Sequence, residues 1–143
     1  MELKRLLEFA REVDPELKIM LWADMLNPYH NGKSLHAHDP CFRAAELIPA
    51  DAFIMNVWFY GPTQPTGVGW QSLKWFAERG FATTGSPWYD TTCAALWGDV
   101  CGLARQRAMN CLGALYTSWR DRWEALSTMA DHAWHPRPVS VNE

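Results

Sequence analysis

Leu17-Lys18-Ile19-Met20-Leu21-Trp22-Ala23-Asp24 decides the fold. An apolar run this short, continuous rather than alternating, reads as a strand covered on both faces, the habit of parallel sheets. Upstream, Leu3, Leu6, Leu7, Ala10 and Val13 recur at the spacing of a helix with one buried face, and Asp14-Pro15 ends it. Downstream, Asn27-Pro28 and Asn31-Gly32 mark a long polar loop. A short helical stretch near Phe42 to Leu47 then leads through Pro49 and Asp51 into a second apolar run, Ala52 to Trp58.

The pattern then repeats. Gly61, Pro62, Pro65, Gly67 and Gly69 form a loop, and Leu73, Phe76 and Ala77 make the inner face of a helix that stops at Gly80. Phe81 to Thr84 is a third strand, closed by Gly85 and Pro87. Thr92 is expected to cap a long helix with Leu96, Val100, Leu103 and Ala104 inward, and Gly98 and Gly102 would let it approach a neighbour closely. Cys111 to Thr117 is the fourth strand, and Trp123, Leu126, Ala130 and Trp134 line one side of the last helix. The order is one helix followed by four βα units, with strands about every 30 residues. Such alternation argues α/β with a parallel sheet, either open or half of an eight-stranded barrel. A complete barrel typically needs about 250 residues, and the chain has 143.

Composition removes several function classes. The net charge is −3 and no Lys/Arg cluster occurs, so nucleic acid is not the expected partner. No apolar run approaches the ~20 residues of a membrane span, and Met-Glu-Leu-Lys-Arg at the start does not read as a secretory signal. Cys41, Cys93, Cys101 and Cys111 form no C-x-x-C pair, which fits buried, reduced thiols in a cytoplasmic protein. G-x-S-x-G, P-loop and G-x-G-x-x-G patterns are missing, so no cofactor is expected.

In parallel α/β folds chemistry sits at the carboxyl ends of the strands. Those ends read Trp22-Ala23-Asp24, Trp58-Phe59-Tyr60, Trp88-Tyr89-Asp90 and Trp119-Arg120-Asp121. The chain has only eight aspartates, and three of them fall in these four positions. Tryptophan faces against the apolar side of a sugar ring, with carboxylates accepting from its hydroxyls, suit a polyol ligand. Trp22, Asp24, Trp58, Tyr60, Trp88, Tyr89, Asp90, Trp119 and Asp121 are therefore the candidate ligand-binding residues. Other roles compete. Asp121, with Glu124 three residues on, could cap the last helix, and Trp97-Gly98-Asp99 shows the same spacing inside a helix. His36 and His38 with Asp24 could hold a metal, although no metal is the expected outcome.

The segments Ile19 to Met25, Ile48 to Asp51 before Val57 to Tyr60, Ser86 to Asp90 and Gly113 to Trp119 resemble the C-terminal half of glycoside hydrolase family 20, the β-N-acetylhexosaminidases. The resemblance implies that residues 1–135 form half of a TIM (β/α)8 barrel, its strands five to eight, with 136–143 an irregular tail. It implies Trp22, Trp58 and Trp119 as walls around an acetamide and Asp121 as a grip on sugar hydroxyls. The family pairs a tyrosine with an acid two residues on. Here the acid's place after Tyr89 is held by Thr91, and the tyrosine's place before Asp90 by Trp88. The catalytic Asp-Glu dipeptide that follows strand four in the family occurs nowhere in this chain, so no catalytic residue is assigned and the chain alone is expected to be inactive. Self-association or an N-terminal barrel half is the expected partner. The competing readings are a non-catalytic carbohydrate-binding module and a small metal-dependent hydrolase.

Overall fold

A computed structural model describes residues 2–33 and 41–143. His36 and His38, two of the three residues of the metal alternative, lie outside the described residues, whereas Asp24 is described. Four strands, β1 (Ile19–Trp22), β2 (Phe53–Trp58), β3 (Ala82–Ser86) and β4 (Cys111–Ala114), form one parallel sheet in the order β1-β2-β3-β4. Helices α1 (Glu2–Val13), α2 (Trp70–Ala77), α3 (Thr91–Gln106) and α4 (Leu126–Trp134) accompany them. The fold class is α/β, as the sequence indicates. Only three strands are followed by an α-helix among the described residues. Between β1 and β2 the short helical stretch expected near Phe42 to Leu47 is present as a 3-10 helix, Cys41–Leu47, and no α-helix occurs there among the described residues.

The strand order never reverses, and crossovers between parallel strands are right-handed, so successive crossovers fall on one face of the sheet. Burial agrees. Phe53, Met55 and Val57 on β2 share a core cluster with Leu73 and Phe76 of α2 and Trp97 and Val100 of α3. On the other face, Met20 and Trp22, in register with Ile54 and Asn56, are exposed. β4 ends at Ala114, short of the expected run to Thr117, and a bulge interrupts its pairing: Thr83 pairs with Cys111 and Thr84 with Gly113, leaving Leu112 out. Gly113 sits at φ +135, open to glycine and strained for other residues, with nothing within 4 Å of where a Cβ would stand.

Close approach governs the packing of α3. A Cβ on Gly85 would meet the Trp97 ring at 2.2 Å, one on Gly98 would meet His132 at 2.7 Å, and one on Gly102 would meet Pro136 at 2.3 Å. The two helical glycines thus admit α4 and the chain after it, as their spacing suggests. Asp90, not Thr92, caps α3: its extended backbone precedes Thr91 and its Oδ1 accepts from Cys93 N–H at 2.6 Å.

Two further expectations need correction, those for α1 and Cys41, and the irregular tail gains detail. The apolar stripe of α1 is only partly covered among the described residues: Leu7 is buried, whereas Leu6 is 49% and Val13 84% exposed. The tail has no regular structure, yet it is fastened to the domain. Val139 and Val141 pack on the core, Asn142 N–H donates to Thr66 O, and Arg137 N–H donates to the Asp99 carboxylate at 2.7 Å. Finally, Cys41 is exposed rather than buried, while Cys93, Cys101 and Cys111 are buried free thiols.

Candidate functional site

Seven of the nine candidate residues meet at the carboxyl ends of the strands. Trp22, ending β1, lies 5.5 Å from Trp119 beyond β4, ring centre to ring centre. Trp58, ending β2, packs on Tyr60 at 5.0 Å, Tyr60 on Trp88 at 5.7 Å, and Trp88 on Tyr89 at 4.5 Å. Hydrogen bonds fix the rings: Trp119 Nε1 donates to Tyr60 Oη at 2.6 Å, and Trp88 Nε1 donates to Trp119 O at 3.0 Å. Asp24 closes the set. Its Oδ1 accepts from Trp58 Nε1 at 3.2 Å and its Oδ2 from Asn31 Nδ2 at 2.8 Å. The order of strands brings these residues together, because each follows the same end of a parallel strand. The loop after β4 is tied to the loop after β3, where Thr117 N–H and Oγ1 both donate to Pro87 O.

Two candidates do different work. Asp90 spends its carboxylate on the α3 cap, and Asp121 is exposed at the rim with φ +55. No hydrogen bond ties the Asp121 side chain to the aromatic set among the described residues. The capping alternative for Asp121 fails too: α4 begins at Leu126 after Ala125, without a side-chain cap, and Glu124 pairs with Arg122. Asp99, in the decoy Trp-x-Asp inside α3, is a buried structural carboxylate that receives His132 Nδ1 at 2.9 Å. Trp97 beside it donates Nε1 to Phe59 O at 3.0 Å, deep in the core.

Beneath the aromatic rings lies a polar floor that the strand-end reading missed. Asn56 of β2 is buried, and its Oδ1 accepts from Thr84 Oγ1 at 2.9 Å and from Ser86 Oγ at 2.6 Å. A lone asparagine inside an apolar strand, Phe53-Ile54-Met55-Asn56-Val57-Trp58, was the available signal. Buried polar groups stay affordable only when paired, and this trio pairs across two strands. His30, which the sequence offers only as one of the first-loop histidines, belongs here too. Its ring stands 4.3 Å from Trp58 and 4.4 Å from Phe59, and burial lowers its pKa against the opposing pull of Asp24.

The arrangement offers aromatic faces, one anchored carboxylate and no activated nucleophile. Cys93, whose Sγ donates to Phe59 O at 3.2 Å, is pushed up to about 12 by burial and by Asp90, so it stays a thiol. Among the described residues no group of three or more His, Cys, Asp or Glu is placed to hold a metal ion. No described helix is long and apolar enough to cross a membrane. Comparison with models of known protein families gives no match, and comparison with curated proteins gives none either.

Proposed function

We propose that this chain forms the C-terminal half of a TIM-type glycoside hydrolase barrel resembling the β-N-acetylhexosaminidases. In this reading it supplies sugar-pocket walls to a site whose proton donor stands on the other half. One observation carries the proposal: Trp22, Asp24, Trp58, Tyr60, Trp88, Tyr89 and Trp119 gather at the carboxyl ends of a parallel sheet whose order never reverses. A sheet wound in one direction, with helices on one face, is the geometry from which closed barrels are made. The exposed Met20 and Trp22 of β1 and the free edges of the sheet are surfaces that parallel sheets ordinarily hide, and a completing half-barrel or a second copy would hide them.

The chemistry follows from the side chains. Exposed indole and phenol faces at Trp22, Trp119 and Tyr89 suit the C–H face of a pyranose. Asp24 holds the Trp58 ring edge and keeps that wall in place. General acid catalysis contributes roughly 10²–10⁴-fold and needs its donor within hydrogen-bond reach. The chain carries no Asp-Glu pair to provide it.

The test pairs two assays on the purified chain. Hydrolysis of an aryl β-N-acetylglucosaminide should be undetectable, while N-acetylglucosamine should perturb the tryptophan fluorescence, and Trp58→Ala should abolish that response. Turnover by the chain alone would overturn the division of labour. A fluorescence signal indifferent to every N-acetylhexosamine would overturn the sugar site itself.

A further inference from the structure

From Tyr89 at the edge of the mouth, the exposed aromatic surface continues outward to Trp123. Trp123 is 54% and Tyr89 40% exposed. Leaving an indole in water forgoes the burial that usually places tryptophan inside, and holding it still adds an entropic cost. The loop 122–125 nevertheless holds it. Tyr116 stacks beside Trp123 with rings 18° apart and centres 6.1 Å apart. Tyr116 Oη also donates to Arg122 O at 3.1 Å and accepts from Ala125 N–H at 3.4 Å, pinning both ends of the loop. The Arg122 guanidinium lies over the Tyr89 ring at 4.2 Å and is paired with Glu124.

These contacts run on without a break from the mouth. Trp119 O accepts from Trp88, Trp88 packs on Tyr89, Tyr89 carries Arg122, and the Arg122 loop presents Trp123. Flat faces alternate with a guanidinium and a carboxylate, which is the pairing of stacking surface and hydrogen-bonding groups that a sugar chain requires. A rigid platform spares the ligand the cost of ordering it. Resting on the sugar-site reading above, we propose that Tyr89, Arg122, Tyr116 and Trp123 form an outer platform for further residues of a glycan. The ligand is then an oligosaccharide chain rather than a single sugar. A protein partner could also cover exposed aromatics. The unbroken continuity with the mouth and the alternation of rings with fixed charges favour the glycan.

The experiment titrates the full chain with N-acetylglucosamine and its β-1,4-linked oligomers up to the hexamer, following binding by tryptophan fluorescence and calorimetry. Affinity should rise with chain length. Trp123→Ala should weaken binding of the longest oligomers by about three- to tenfold, the worth of one aromatic contact, and leave the monosaccharide unchanged. Trp123→Phe should restore most of the loss. Equal affinity at every length, or equal weakening of monosaccharide and hexamer by Trp123→Ala, would overturn the platform while leaving the inner site standing. Loss of self-association on light scattering, with oligomer binding untouched, would assign the patch to a protein interface instead. If no sugar of any length binds, the inner site and the platform fall together.

Discussion

His132→Ala tests the strongest polar construction in the domain. Asp99 on α3 is buried, and both its oxygens lie 2.9 Å from His132 Nδ1 on α4, while Oδ1 also accepts from Arg137 N–H at 2.7 Å. The far nitrogen, Nε2, lies 2.7 Å from Arg137 Nη1, a donor, which requires Nε2 to accept and Nδ1 to carry the proton. The side chains of His132 and Asp99 are only 10% and 8% exposed. Removing the neutral imidazole takes one charge-assisted hydrogen bond from the buried Asp99 carboxylate, which costs about 1.5–3 kcal/mol. Arg137 N–H remains to Asp99, but the Arg137 guanidinium also loses its Nε2 acceptor, so the upper end of that range, about 3 kcal/mol, is expected. For a chain of this size it corresponds to a fall in Tm of about 6–12 °C. Asp99→Asn keeps an acceptor for both donors and should cost about 1 kcal/mol. Urea unfolding at unchanged m-value measures both, and limited proteolysis should show the tail after Pro136 released first in His132→Ala. A loss below about 1 kcal/mol for His132→Ala, or one no larger than that of Asp99→Asn, would refute the clamp.

Two further outcomes follow from single contacts. His30 has a pKa lowered by burial, so the unfolded chain takes up a proton at a pH where the native chain does not. Stability should therefore be full above the ordinary histidine range near pH 6.5 and decline as pH falls through it, and His30→Gln should flatten that slope in denaturant titrations between pH 7 and 5. Gly85→Ala would drive a methyl into the Trp97 ring and, at 2.9 Å, the Cys101 sulfur, costing about 1–3 kcal/mol by chemical denaturation; a neutral result would mean that α3 shifts freely on β3.

The strands were legible because their apolar runs lie between turn residues, and the registry of Trp22, Trp58, Trp88 and Trp119 with strand ends followed from that alone. What escaped the sequence was whatever depends on a partner distant along the chain. Asp90 and Asp121 have the same tripeptide setting as Asp24, yet local backbone conformation sends the first to a helix cap and the second to the rim. Asn56, Thr84 and Ser86 belong together only once β2 and β3 are paired. The stripe on α1 carried the right period, but periodicity marks a face fit for burial without saying whether anything arrives to bury it. The tail looked featureless because its anchors, Arg137 on Asp99 and Asn142 on Thr66, leave no periodic trace.

Three indole N–H groups at the mouth are already committed: Trp58 to Asp24, Trp88 to a backbone carbonyl and Trp119 to Tyr60. Whatever approaches these rings meets their faces and not their donors. Sites that offer hydrogen bonds reject an analogue lacking the matching group by about 10⁴–10⁵, whereas apolar walls discriminate by only about 10–200-fold. If the proposed sugar site holds, these three tryptophans would act as a coarse sieve for contour, favouring flat, equatorially substituted rings over those with an axial group beneath. On that reading finer discrimination would fall to polar groups at the rim, the exposed carboxylate of Asp121 and the Arg122–Glu124 pair, and exchanging one of these residues would retune preference.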